Sequence, residues 1–172
     1  RLTGLSTDQL MGTENYQELE KRTGFDLTGS GGNNDNVTQS VKRESEILRL
    51  ITLARLKRTT LHDEYHSARL QHSWTEVDYL ARSLQKYKEV NGLFDYTDML
   101  ELFIEKGPQI CPNFKLCLLD EAQDLSAIQW EIAHILDGKS TKMYCSGDDD
   151  QAIYNFAGAD RPTIKPTRLQ NI

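Results

Sequence analysis

The chain has 172 residues, 38% of them hydrophobic, and a formal net charge of -6; this is length for one domain or two small ones. The acidic balance argues against a general polyanion-binding surface and leaves room only for a local basic groove, because steering depends on where charge sits. No apolar stretch approaches the span of a bilayer, no signal-peptide pattern opens the chain, and Arg1 suits a chain that begins inside a longer protein.

The first 92 residues read as helices joined by polar loops. Thr13 to Arg22 predicts a short helix ended by Gly24, and Gly29 to Asn36 is a cluster of turn residues. A long helix is expected from about Ser40 to Leu61, with Ile47, Leu48, Ile51, Leu53, Ala54 and Leu56 as its apolar stripe. Ser73-x-x-Glu76 is a capping box for a third helix, which carries Val77, Leu80, Leu84 and Tyr87 and stops at Asn91-Gly92. Lys42, Arg43, Arg49, Arg55, Lys57, Arg58 and Arg69 concentrate positive charge in this half, as a DNA-backbone contact or as a solvated helix face.

From Phe94 onward the pattern becomes α/β. Asp95 to Lys106 predicts a helix closed by Gly107-Pro108. Lys115 to Leu119 and Lys142 to Ser146 are short apolar runs suited to buried parallel strands. Between them Ser126 to Leu136 predicts a helix with Ile128, Ile132, Ala133, Ile135 and Leu136 inward, closed by Asp137-Gly138. Strand, helix and strand in this order make a βαβ unit. Its ligand edge is the carboxyl end of the strands, which places Asp120 beside Gly147. The tail after Arg161, with Pro162 and Pro166, reads as extended or disordered. Cys111, Cys117 and Cys145 are odd in number and lack metal-ligand spacing. Cys117 and Cys145 are expected as small buried hydrophobes, and a reduced, intracellular setting fits them.

The two strand ends carry the chemistry. A carboxylate at Asp120 can hold magnesium through water, because that ion keeps much of its hydration shell. Glu121, the next residue, can orient and deprotonate a water attacking a terminal phosphate. The bland reading of this pair is a solvated acidic turn, and Asp124, two residues before the next helix, can cap it. On the second strand end, Gly147 permits a sharp turn. Gln151 offers a neutral amide that can bond a terminal phosphate oxygen or the attacking water; an ordinary βα loop is the alternative. Tyr154 and Phe156, two apart, share a face in an extended segment and either stack on unpaired bases or fill a core. No phosphate-cradling Gly-x-x-x-x-Gly-Lys-Ser/Thr loop occurs anywhere in the chain. His62 and His66 lie four apart but form neither His-Glu-x-x-His nor His-x-x-Glu-His, so a polar helix face is the expectation there.

Asp120-Glu121-Ala122-Gln123-Asp124 resembles motif II, the Walker B element, of the UvrD/Rep family of superfamily 1 DNA helicases. Gly147-Asp148-Asp149-Asp150-Gln151-Ala152-Ile153-Tyr154 resembles that family's motif III, and the order and gap agree. Phe94 to Leu100 resembles the segment by which such proteins return from an inserted helical subdomain. The resemblance covers about residues 94–160 and is thin over the first 90.

The resemblance implies an α/β fold: a partial RecA-like parallel sheet with helices in residues 93–172, plus a mostly helical insertion subdomain in residues 1–92. It implies ATP and magnesium as cofactors of the parent protein, with Asp120 at the metal, Glu121 as base and Gln151 at the γ-phosphate. Tyr154 and Phe156 would contact single-stranded DNA, and the insertion would lie near the duplex junction. The remaining partners would be the N-terminal part and second motor domain of the parent chain, in the cytoplasm of a bacterial or phage-like system and without a membrane. Ala157 stands where the family often has Arg, so one DNA contact is missing or supplied elsewhere. A non-catalytic DNA- or protein-binding derivative of a helicase, or the motor part of a helicase-nuclease, are the alternatives.

Overall fold

A computed structural model describes residues 6–28 and 45–147. The Gly29 turn cluster, Gln151, Tyr154, Phe156 and the tail after Arg161 lie outside the described residues. Six helices are described, α1 (Thr13–Thr23), α2 (Glu46–Leu56), α3 (Leu61–Ser67), α4 (Trp74–Asn91), α5 (Tyr96–Ile110) and α6 (Ala127–Gly138), with strands β1 (Cys117–Leu119) and β2 (Met143–Cys145). The described residues are thus mostly helical, with a small parallel sheet of two strands.

Helix ends follow local chemistry where glycine or a capping box stands. Gly24 closes α1 with φ of 77°, and its N–H donates to the Glu20 carbonyl. Gly92 closes α4 with φ of 63°. Both values fall in the left-handed region that glycine enters without a Cβ clash. The Ser73 N–H donates to Glu76, and the Ser73 hydroxyl accepts from the Glu76 N–H, so the predicted box starts α4.

Two expected boundaries are wrong. The helix foreseen from Ser40 to Leu61 ends at Leu56, and a separate helix begins at Leu61. Arg58 between them takes φ of 57°. The Thr60 hydroxyl accepts from the Asp63 N–H, which starts a new helix instead of extending the old one. The helix expected to stop at Gly107-Pro108 instead runs through both to Ile110. Pro108 sits in the last turn, where its missing N–H costs one bond and few residues follow.

The main core lies under α1, α2 and α4. Ile47, Val77 and Leu80 are wholly buried, joined by Leu19, Leu50, Leu84 and Tyr87. Chain segments at the two ends of this cluster lie side by side: the Met11 N–H donates to the Phe94 carbonyl, and the Phe94 N–H to the Gln9 carbonyl, each at 2.8 Å. Residues 11–93 therefore leave and return through one short parallel bridge. α6 lies on α5 and on β1, burying Ile128 and Ala133.

The sheet is parallel, with Cys117 opposite Met143 and Leu119 opposite Cys145. The strands are not buried as expected: Leu118 and its cross-strand partner Tyr144 are 70% and 51% exposed. α6 packs on β1, while the paired Leu118 and Tyr144 stay open to solvent. The cysteine expectation is corrected in the same way. Cys145 is exposed and Cys117 half-buried, whereas Cys111 is the buried one; all three are free thiols. Among the described residues no helix is long and apolar enough to cross a membrane.

An ion-pair cluster joins α2, α4 and α5. The Arg55 guanidinium reaches Asp95 at 2.9 Å, Asp98 at 2.6 Å and Glu101 at 2.8 Å. The Lys88 ammonium, nearly buried, lies 2.7 Å from both Asp95 and Asp98. Burial favours the neutral form of Arg55, but the Glu101 hydrogen bond and the Asp95 and Asp98 charges outweigh it and raise its pKa. Burial likewise pushes the Asp95 carboxyl up; the Lys88 bond, the Arg55 charge and the Asp98 N–H together win and hold it below the usual range. Lys57 pairs with Glu64 and Arg58 with Glu131. Three of the basic residues grouped in the sequence therefore serve internal pairs.

Removing Lys88 leaves two partly buried carboxylates sharing the single Arg55 guanidinium, so Lys88→Met should lower unfolding free energy by about 3 kcal/mol in urea titration at pH 7. Because the folded-state pKa of Asp95 is depressed, its contribution is present above the unfolded carboxylate value, about pH 4, and is lost as pH falls through the folded value. Urea midpoints should fall on acidification below about pH 4, and Asp95→Asn should flatten that fall. An equally steep fall in Asp95→Asn would contradict the assignment.

Candidate active site

The site begins where β1 ends. Asp120 and Glu121 follow Leu119 directly, and both are exposed. The Glu121 N–H donates to Asp120 Oδ1 at 3.0 Å. A 3-10 turn, Ala122–Asp124, then carries the chain toward α6. Asp124 does not cap α6, contrary to expectation. Ser126 is the N-cap, with its N–H and hydroxyl both donating to Gln129 at 2.8 and 2.9 Å. Asp124 instead turns one carboxylate oxygen, Oδ1, into a buried position where no hydrogen-bond partner stands among the described residues.

The parallel register brings the end of β2 to the same place. The Ser146 N–H donates to the Leu119 carbonyl at 2.7 Å, and the Ala122 N–H to the Ser146 carbonyl at 2.9 Å. Gly147 lies against the turn so closely that a Cβ built there would stand 2.7 Å from Gln123 Oε1, 3.2 Å from the Gln123 nitrogen and 3.3 Å from the Ala122 nitrogen. Asp120, Glu121 and Gly147 thus share one sheet edge, as the strand-end rule predicts. Gln151, Tyr154 and Phe156 lie outside the described residues.

Glu121 has φ of 53° and ψ of 41°, the left-handed conformation that costs a side-chain-bearing residue about 1–2 kcal/mol. Strain of this kind persists where surrounding bonds over-determine it, and it clusters at functional sites. Here the bonds are the Asp120 contact on the N–H side and a short one, 2.5 Å, from Gln123 Nε2 to Glu121 Oε2. Gln123 is buried. Sequence reasoning passed over Gln123, although its place two residues after Glu121 was visible.

Hard carboxylate oxygens on an exposed edge suit magnesium, which retains waters and takes few protein ligands. Among the described residues no group of three or more His, Cys, Asp or Glu side chains could hold an ion unaided. His62 and His66 bring their Nε2 atoms to 3.0 Å, with Trp74 edge-on to His62.

The described residues thus form a helical body with a small parallel sheet, and adjacent carboxylates follow one strand's carboxyl end. The chain belongs to the UvrD/REP helicase N-terminal domain family, whose family model matches residues 9–169. It is 40% identical over 82 residues to DNA helicase II of Haemophilus influenzae, covering 43% of this chain and 11% of that protein. It is 38% identical over 73 residues to the ATP-dependent DNA helicase srs2 of Schizosaccharomyces pombe, covering 41% and 8%. Against DNA helicase II of Escherichia coli it is 30% identical over 115 residues, covering 60% and 15%. The chain therefore spans only a small part of the length of these relatives.

The strain at Glu121 has a measurable consequence. Glu121→Gly should be more stable than Glu121→Ala by about 1 kcal/mol in urea unfolding, because only glycine occupies the left-handed region freely. Equal stability of the two variants would show that the residue adopts another conformation in solution.

Proposed function

We propose that this chain is part of the first motor domain of an ATP-dependent DNA helicase that moves along single strands. The observation that carries the reading is the meeting of Asp120-Glu121 and Gly147 on one edge of the parallel pair, in a chain of the UvrD/REP helicase N-terminal domain family. In this reading residues 93–172 form part of a RecA-like domain and residues 1–92 a helical insertion. The short bridge at which residues 11–93 leave and return supports an insertion, since a segment spliced into a domain has adjacent ends.

Asp120 would hold magnesium through water, and Glu121 would take the proton of the water attacking the γ-phosphate. The metal supplies charge neutralisation on the transferring phosphoryl group when it is bound. Gln151 would contact the γ-phosphate, and Tyr154 and Phe156 would stack on bases of single-stranded DNA, linking phosphate state to grip on the strand. The insertion would lie near the duplex junction, and the setting would be intracellular, where DNA is the substrate.

Phosphoryl transfer depends on positioning and electrostatics. The sequence contains no Gly-x-x-x-x-Gly-Lys-Ser/Thr loop, so the chain alone should bind ATP weakly and turn it over negligibly. In the parent protein, Glu121→Gln should abolish DNA-stimulated ATPase, measured by phosphate release, and leave single-strand binding by fluorescence anisotropy unchanged. Surviving ATPase would remove Glu121 from the role of base. Robust turnover by the isolated chain, lost in Glu121→Gln, would overturn the claim that it needs the rest of its parent.

A further inference from the structure

Gln123 occupies an unusual position between the two strand ends. The amide nitrogen of its buried side chain donates to Glu121 Oε2 at 2.5 Å. Its amide oxygen faces Gly147, 2.7 Å from the point where a Cβ would stand. The amide is planar and stiff, so nitrogen and oxygen move together. The backbone around it is held: the Ala122 N–H is bonded to the Ser146 carbonyl, and the Asp124 N–H to the Glu121 carbonyl. A displacement at Gly147 is therefore passed to the Glu121 carboxylate through one rigid group.

We propose that Gln123 is a positioning residue that aims the Glu121 carboxylate and couples its direction to the main chain at Gly147, the start of the segment leading to Gln151. This rests on the reading of Glu121 as the base. Glu121 is exposed and its backbone strained. Among the described residues, Gln123 is the side chain shown donating to that carboxylate. Glycine at 147 is required for the same reason. A methyl group there would meet the soft end of Gln123 first, while the Ala122 and Gln123 nitrogens at 3.3 and 3.2 Å restrict retreat in other directions. Gly147→Ala should therefore act by evicting the Gln123 amide from Glu121.

The test has two arms. In this chain, the side-chain amide resonances of Gln123 are followed by nitrogen-15 NMR. They should move in Glu121→Ala and move again in Gly147→Ala, both variants retaining the unfolding transition of the parent sequence. In the full-length protein, Gln123→Met keeps the side-chain volume and removes the donor. It should lower kcat for ATP by between about tenfold and a hundredfold, as expected when a reacting group is misplaced, with KM for ATP changed less than about twofold, the pattern of an interaction made in the transition state. Gly147→Ala should do the same, and the double variant should be no worse than either single one, because both remove one interaction. If Gly147→Ala does not fold, Gln123→Met and Glu121→Ala still decide the matter.

Amide resonances indifferent to Glu121→Ala would overturn the contact. Full kcat in Gln123→Met, with ATPase abolished in Glu121→Gln, would overturn the proposal and leave Glu121 as base. ATPase retained in Glu121→Gln would instead remove the reading on which the proposal stands, and the proposal with it.

Discussion

The parallel register of β1 and β2 is the constraint on which the candidate site depends. Parallel strands cannot be joined by a tight turn and need a crossover of a dozen or more residues. α6 supplies it, and its buried Ile128 and Ala133 draw the crossover back over the sheet. The pairing extends beyond the strands at both ends, through Phe114 and Ser140 before them and through Leu119, Ser146 and Ala122 after them. These outer bonds matter as much as the strands, because they fix where the chain leaves each strand. A slip of one residue would turn every side chain to the other face and separate Gly147 from the Ala122–Asp124 turn.

A different principle holds the helical part to this unit. Three carboxylates on α5 and its cap meet one guanidinium from α2 and one ammonium from α4. Burial works against the Arg55 and Asp95 charges, and dense mutual bonding offsets that cost. Such a cluster is directional where an apolar contact is not: it admits one arrangement of α2, α4 and α5. It also explains why basic residues near α2 contribute less to any outward positive face than their number suggests, since Arg55, Lys57 and Arg58 are each engaged within the molecule.

At the strand ends, stability is given up locally. Among the described residues, Glu121 sits in a left-handed conformation, Asp124 buries an oxygen without a partner, and Leu118 and Tyr144 are exposed. Each is unfavourable alone, and all lie in or near the carboxyl ends of the two strands. Membership of the UvrD/REP helicase N-terminal domain family places these features in a segment whose named relatives are far longer proteins.

The local signals were readable in the residues themselves. Gly24, Gly92 and the Ser73–Glu76 box mark helix ends because their effect is confined to one turn of chain, and the βαβ order follows from two apolar runs flanking a helical stripe. The place of the Asp120-Glu121 pair at the end of β1 was legible too, because a strand and the residues that follow it are adjacent in the chain. Boundaries failed where competing local forces were close in strength, as at Thr59-Thr60 and Pro108. Burial of the strands failed because exposure depends on what lies across a face, which no strand encodes in its own residues. The Arg55 cluster joins residues 40 to 46 positions apart, and the wedge of Gln123 between Glu121 and Gly147 needs the two strand ends brought within a side chain's reach. Such contacts are set by distances in space, and only the folded chain sets those.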